Sequence, residues 1–112
     1  MYIYNIGVDF DQRSDFEGFD WDQGNRDKNQ VKHNVSDGEC EEIFFNSPLL
    51  MIGDTRHSDE ELRFAAFGVT KTGRMLTVVF TMRQRLVRVI SARDMNKKER
   101  NIYEKFKTDT QI

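Results

Sequence analysis

Four arginines stand within eleven positions near the end of the chain, at Arg83, Arg85, Arg88 and Arg93, and no lysine interrupts them. The planar guanidinium group binds a phosphate through two parallel hydrogen bonds, which the ammonium of lysine does not. Fixed cations of this kind stabilise the charge that builds up when a ribose 2′-OH attacks the neighbouring phosphodiester. The cluster therefore indicates phosphate chemistry on RNA. The alternative is that Arg88 and Arg93 pair with the acidic first half of the chain, and residue type alone does not separate the two.

Two short motifs could move protons. Lys32 and His33 stand at the end of a predicted helix, and a histidine titrates near neutral pH, so it can act as a general acid or base. The simpler interpretation is that His33 stabilises the helix end by its charge. Glu61 and Arg63 stand two positions apart, which places both on one face of a strand. They could pair a general base with a phosphate-binding cation, or they could be solvated loop charge.

No metal site and no cofactor are expected. Asp54, His57, Glu60 and Glu61 stand in one predicted loop, but their spacing matches no standard ligand pattern, and Arg63 would oppose a cation. A single cysteine, Cys40, with two histidines in the whole chain cannot form a zinc cage or an internal disulfide.

The composition is that of one small globular domain. The chain has 112 residues, 38% hydrophobic and 32% charged, and contains no apolar run of the roughly 18–20 residues needed to span a bilayer. No signal peptide is visible, so a cytoplasmic location is expected. Residues 1–61 carry 5 basic and 15 acidic residues, a net charge of −10. Residues 62–112 carry 12 basic and 4 acidic residues, a net charge of +8. The basic half could present a positive surface to a polyanion, or the acidic half could neutralise it.

The element order predicts an α+β domain. A polar helix over 23–33, with Asp22 as its N-cap and Asn34 ending it, precedes a second helix that begins in a Ser36–Glu39 capping box and ends before Pro48. Three or four strands follow, including residues 63–69, 75–82 and 86–92, with turns near Gly73 and Gln84. A C-terminal helix begins at a capping-box variant, Asn96 to Glu99. Short connections between the strands predict an antiparallel meander.

Several of these pieces resemble the BrnT toxins of bacterial type II toxin–antitoxin pairs. The resemblance covers roughly residues 19–106, and its specificity lies in the combination of the two halves. The matching pieces are Phe19-Asp20-Trp21-Asp22, Asn29, Lys32-His33, Val35-Ser36, His57-Ser58, Glu61-Leu62-Arg63, Gly73-Arg74, Val78-Val79-Phe80-Thr81, the run from Arg88 to Arg93, Glu99-Arg100 and Tyr103. Two departures are Asn25, where the family usually has lysine, and the long segment before Phe19.

The resemblance implies a RelE-like fold and a small endoribonuclease that arrests growth by cutting RNA. It also implies a short antitoxin of the BrnA type, whose ribbon-helix-helix end binds operator DNA, so that the toxin meets operator DNA only through its antitoxin; no membrane is involved. On this basis we divide the chain into an N-terminal extension (1–18), a toxin domain (19–107) and a C-terminal tail (108–112).

The favoured hypothesis is metal-independent cleavage by 2′-OH attack. In this hypothesis Arg63, Arg88 and Arg93 bind the phosphate and stabilise the transition state. His33 and Glu61 transfer protons, and Lys32, Arg83 and Arg85 make further contacts with the RNA. The alternative is a catalytically degenerate toxin that only binds DNA together with its antitoxin, which the Asn25 departure would suit. A stand-alone nucleic-acid adaptor fits less well, because such modules interleave aromatic residues with their basic strands and residues 83–93 contain none.

Overall fold

The computed structural model describes residues 2–5, 17–54 and 63–110. The strands within these residues are β1 (Tyr2–Asn5), β2 (Gly18–Phe19), β3 (Leu50–Asp54), β4 (Arg63–Val69), β5 (Met75–Arg83) and β6 (Leu86–Asp94). The α-helices are α1 (Lys28–His33), α2 (Asp37–Glu42) and α3 (Lys97–Thr110), and a 3-10 helix (Ile43–Phe45) follows α2 directly. The predicted α+β class is confirmed, with two helices before the main strands and one after them.

In the described part of the chain, all six strands form one sheet in the order β1-β3-β4-β5-β6-β2. The antiparallel meander from β3 to β6 is confirmed. The predicted count of three to four strands and the purely antiparallel description are wrong, because both edges belong to the N-terminal part of the chain. β1 adds antiparallel to β3, and β2 pairs parallel with β6. A strand of two residues that includes a glycine carries no alternating pattern, so β2 could not be predicted from the sequence.

The helical segments differ from the prediction at the start of α1. Residues 23–27 form turns, the helix begins at Lys28, and Asp27 precedes it in a left-handed conformation without a capping hydrogen bond. Asp22 is therefore not an N-cap. The left-handed end at Asn34 (φ 57°) and the capping box between Ser36 and Glu39 are confirmed.

One face of the sheet packs on the segment from α1 to the 3-10 helix. Asn29 attaches α1 to β6, since its Oδ1 accepts a hydrogen bond from the Ala92 backbone N at 3.0 Å. The buried side chains of this face form the larger core of the described residues: Val35, Cys40, Ile43, Phe44, Leu49, Ala66, Leu76, Val78, Phe80, Val87, Val89 and Ala92.

The opposite face is covered by α3 at one end. Tyr103 packs there with Leu50, Phe67 and Met95, and its hydroxyl donates to the Pro48 carbonyl at 2.7 Å. Burial raises the pKa of Tyr103 to about 12. The other end of this face, which carries Arg63 and Arg88, lies outside that cluster. We call this region the open end of the sheet, because among the described residues it carries a cleft.

A β-bulge decides which arginines of β6 share a face. The ladder between β5 and β6 shifts register between Val79 and Phe80, which leaves Ile90 as an extra residue in β6. Side chains alternate along a regular strand, so Arg88 and Arg93, five positions apart, would otherwise lie on opposite faces. The extra residue puts both of them on the face that also carries α3.

Candidate functional site

Three arginines from three adjacent strands line one cleft at the open end of the sheet. The cleft has a volume of about 200 Å³, and Arg63 of β4, Arg83 of β5 and Arg88 of β6 are among its walls. Arg63, Thr81 and Arg88 stand opposite one another across these strands. Neighbouring strands lie about 4.8 Å apart, so the backbones of Arg63 and Arg88 are separated by about 10 Å. Two arginine side chains can contact the same phosphate across that gap.

Arg88 is held in place by acidic residues that precede α1. Its Nη1 and Nη2 donate to the two carboxylate oxygens of Asp22 at 3.0 Å each, and Asp20 lies 3.6 Å away. The hydrogen bond from Arg88, followed by one from the Gly24 backbone N, keeps the pKa of Asp22 below its ordinary value; the same pair raises the pKa of Arg88. Pairing of Arg88 with the acidic first half is thus confirmed. A phosphate must share this guanidinium with Asp22 or displace that carboxylate.

Gly24 allows this close arrangement. A Cβ atom at this position would lie 3.0 Å from Arg88 Nη2 and 3.1 Å from Asp22 Oδ1. Both contacts are tighter than ordinary van der Waals distances, so with a side chain here the Arg88–Asp22 pair would have to shift by a few tenths of an ångström.

Arg85 does not share the cleft with Arg83. Arg85 lies in the turn between β5 and β6, and its Nε donates to Glu17 at 2.9 Å. It is absent from the cleft lining, whereas Arg83 is part of it. The turn therefore separates two arginines that were predicted to share one RNA-binding role.

Arg93 joins β6 to α3. Its Nη1 and Nη2 donate to the Glu99 carboxylate at 2.7 and 2.9 Å, and Glu99 also accepts from Thr77 Oγ1 and from the Asn96 backbone N. Burial by itself would raise the pKa of Glu99, but these hydrogen bonds, first among them those of Arg93, outweigh it and lower that pKa. The alternative that Arg93 pairs with the acidic first half is wrong. Arg93 stands about 16 Å along the strand from Arg88, outside the cleft.

Lys32 and His33 lie at the far end of α1 from the cleft. Both are exposed, and neither lines it. The charge of His33 adds to the larger effect of the Arg74 hydrogen bond in lowering the pKa of Asp94, which is the last residue of β6. Because Arg88 and Asp94 are six positions apart on that strand, about 20 Å of sheet separates the two regions. The structure thus brings Arg63, Arg83 and Arg88 together and leaves His33 apart from them.

Arg74 connects three elements of the fold, although in the sequence it belongs only to the Gly73-Arg74 piece of the family resemblance. Its side chain donates to Asp94 at 2.7 and 3.0 Å, to Glu39 at 3.2 and 3.3 Å, and to the Asn34 carbonyl at 2.8 Å. The hydrogen bonds to Asp94 contribute most to raising the pKa of Arg74. It ties the end of α1, the start of α2 and the end of β6 together, and no spacing in the sequence indicates that role.

Two further residues of the cleft wall were not singled out as site residues for this region. Asn25 is buried: its Nδ2 donates to the carbonyls of Asp20 and Val89 at 3.0 Å each, and its Oδ1 accepts from the Asp22 backbone N at 2.8 Å. Lys28 lines the cleft from the first position of α1. Both residues stand in the helix predicted over 23–33, and their spacing of three residues, close to one helical turn, could have indicated that they share a face.

Glu61 and His57 lie outside the described residues, so the predicted pairing of Glu61 with Arg63 stays a prediction. Among the residues described, no group of three or more His, Cys, Asp or Glu side chains could hold a metal ion. No helix in the same part of the chain is long and apolar enough to cross a membrane.

The structure is thus an α+β domain whose sheet carries a cleft with three arginines, the side chains that bind phosphate through two parallel hydrogen bonds. The family model for the ribonuclease toxin BrnT of type II toxin–antitoxin systems matches residues 21–99, and the chain belongs to this family. The resemblance drawn from the sequence motifs is confirmed. Membership implies an RNA target and an antitoxin partner. No protein of curated function matches the chain significantly.

Proposed function

We propose that this protein is a toxin that cleaves RNA without a metal ion, by attack of a ribose 2′-OH on the adjacent phosphodiester, leaving a 2′,3′-cyclic phosphate. The observation that carries the proposal is the meeting of Arg63, Arg83 and Arg88 in one open cleft. Arg63 and Arg88 flank the scissile phosphate, and Arg83 contacts it or the next phosphate. Guanidinium groups fixed in this way stabilise the charge of the pentacoordinate transition state.

The role that we assign to each remaining predicted site residue follows from its position relative to the cleft. We assign the abstraction of the 2′-OH proton to Glu61, which precedes the cleft residue Arg63 by two positions in the chain; the 5′-oxygen that leaves the phosphorus takes its proton from solvent. His33 and Arg93 lie well away from the cleft along β6. We therefore propose that they and Lys32 contact the nucleotides that flank the cleaved bond. We assign no direct substrate contact to Arg85, because its side chain is paired with Glu17 and lies outside the cleft lining.

The biological setting follows from the family. We propose that the partner is an antitoxin of the BrnA type, with a ribbon-helix-helix end that binds operator DNA, and that the toxin acts on RNA in the cytoplasm. A RelE-like arrangement is consistent with the antiparallel meander of β3 to β6 and the cleft at its open end.

The test is cleavage of RNA by the purified chain in excess EDTA, with the new 3′ ends analysed for a cyclic phosphate. We expect cutting, and we expect Arg63→Ala and Arg88→Ala each to slow it roughly a hundred- to a thousandfold. Arg100→Ala is the matched control, because Arg100 lies on α3 and outside the cleft lining. Cutting that requires added Mg²⁺ would refute the mechanism.

One observation favours a degenerate toxin as the second candidate. The guanidinium of Arg88 is already bound to Asp22, and buried Asn25 replaces the lysine usual in the family. A degenerate copy that only binds DNA with its antitoxin should be tolerated when expressed alone, whereas an active ribonuclease should arrest growth. Growth that is unaffected by soluble, folded protein would favour the degenerate form.

A further inference from the structure

Lys28 places a positive charge on the helical wall of the cleft. The three arginines of the cleft project from the sheet, whereas Lys28 is the first residue of α1 and is exposed. A phosphate between these two walls would meet cations from both sides. The sheet residues alone would leave the helical side of the phosphate uncompensated.

The Lys28 ammonium is available to a ligand. Among the residues described, no ion pair and no side-chain hydrogen bond involves Lys28, while Arg88 is bound to Asp22 and Arg93 to Glu99. Lys28 thus binds an anion without first giving up a contact within that part of the molecule. Its position brings no stability to the helix either, because a cation in the first turn opposes the helix dipole.

Asn25 cannot serve the same purpose. Its amide is buried and is already used in three hydrogen bonds, two given to backbone carbonyls and one accepted from a backbone N–H. Lys28 lies three residues further along, on the wall of the same cleft.

We infer that Lys28 is an RNA-contacting residue that binds a substrate phosphate from the side opposite Arg63. This inference rests on the proposed function, since it names an additional contact for the same substrate. Lys28 takes no part in proton transfer.

The experiment compares the full chain with Lys28→Gln in binding to single-stranded RNA that carries 2′-O-methyl groups, which block the attacking hydroxyl. Fluorescence anisotropy at several NaCl concentrations gives the affinity and its salt dependence. We expect Lys28→Gln to weaken binding roughly three- to tenfold and to reduce the slope of log K against log salt by about 0.7, the value for one lost phosphate contact on a single strand. Lys28→Arg should restore both quantities.

Lys97→Gln is the matched control. Lys97 is likewise exposed at the first position of a helix, α3, but lies outside the cleft, so its replacement should change neither affinity nor slope. If Lys28→Gln matches the wild-type affinity and slope while the wild type binds and cuts RNA, the role of Lys28 is refuted and the proposed function stands. If the wild type neither binds the methylated RNA nor cuts unmodified RNA, both fail.

Discussion

Replacing Glu99 by Gln tests whether the Arg93–Glu99 pair holds α3 on the sheet. The substitution keeps the size of the side chain and removes its charge. In the wild type, Glu99 accepts hydrogen bonds from Arg93, Thr77 and the Asn96 backbone N, while the Asn96 side chain accepts one from the Glu99 backbone N. The glutamine amide can accept through only one of its two polar atoms, so part of this network is lost.

The expected cost is about 1–2 kcal/mol of unfolding free energy. The Arg93 side chain is 39% exposed and that of Glu99 15%, so the ion pair itself is partly screened and contributes roughly 0.5–1 kcal/mol. Weakening of the hydrogen bonds from Thr77 and Asn96 adds about 0.5–1 kcal/mol. For a domain of this size the sum lowers the melting temperature by roughly 4–8 °C.

Urea denaturation followed by circular dichroism measures this difference, and its pH dependence gives a second check. The pKa of Glu99 is lowered on folding from its ordinary value of 4.5. The stabilisation is therefore fully present above about pH 4.5 and is lost as the pH falls through the lower folded-state pKa. The gap between wild type and Glu99→Gln should thus close on acidification.

Glu104→Gln is the control for the charge change, because Glu104 is exposed on the same helix and its carboxylate makes no hydrogen bond or ion pair within the described residues. It should unfold like the wild type. A Glu99→Gln protein whose unfolding free energy equals that of the wild type at pH 7 would contradict the role given to this pair. A gap that persists unchanged well below pH 4 would contradict its electrostatic origin.

Three further results are expected. Arg74→Ala should lower the unfolding free energy by about 1–2 kcal/mol, because it removes the pairs with Asp94 and Glu39; an unchanged urea midpoint would count against this. Asn25→Lys, although it restores the residue usual in the family, should cost about 3 kcal/mol or more by forcing a charge into a buried, hydrogen-bonded site, and a melting temperature equal to that of the wild type would refute this. Burial raises the pKa of Cys40 to about 12, so iodoacetamide at pH 8 should alkylate it far more slowly in the folded protein than in urea; equal rates would show that the thiol is accessible.

The sequence predicted the elements that carry a local signal. The capping boxes at Ser36 and Asn96, the left-handed Asn34 and the apolar strand β5 each depend on residues close together in the chain, and all are found. The edge strand β2 depends on pairing with distant residues, and its two-residue pattern is too short to show it.

The candidate site was predictable in its residue types more than in its arrangement. Arginines in β4, β5 and β6 pointed to a phosphate site, and three of them share a cleft. The face on which Arg93 lies depends on the bulge at Ile90. The distance of His33 from the cleft depends on the direction of α1 along β6. No local sequence pattern encodes either feature. The ion pairs of Arg88 and Arg93 likewise depend on which acidic residue the fold brings near.

The turn between β5 and β6 is built from Gln84 and Arg85, which both adopt left-handed conformations, with φ of 51° and 73°. Hairpins of this shape usually use asparagine and glycine, and an ordinary residue costs about 1 kcal/mol in that region. Arg85 also forms two hydrogen bonds with Glu17, which immediately precedes β2. Its Nε donates to the Glu17 carboxylate, and its carbonyl accepts from the Glu17 backbone N. Replacing Arg85 by glycine would relax the hairpin but remove the side-chain bond to Glu17, leaving β2 held by the backbone bond from the Glu17 N–H and by its pairing with β6, so a gain in turn stability is opposed by a weaker attachment of β2.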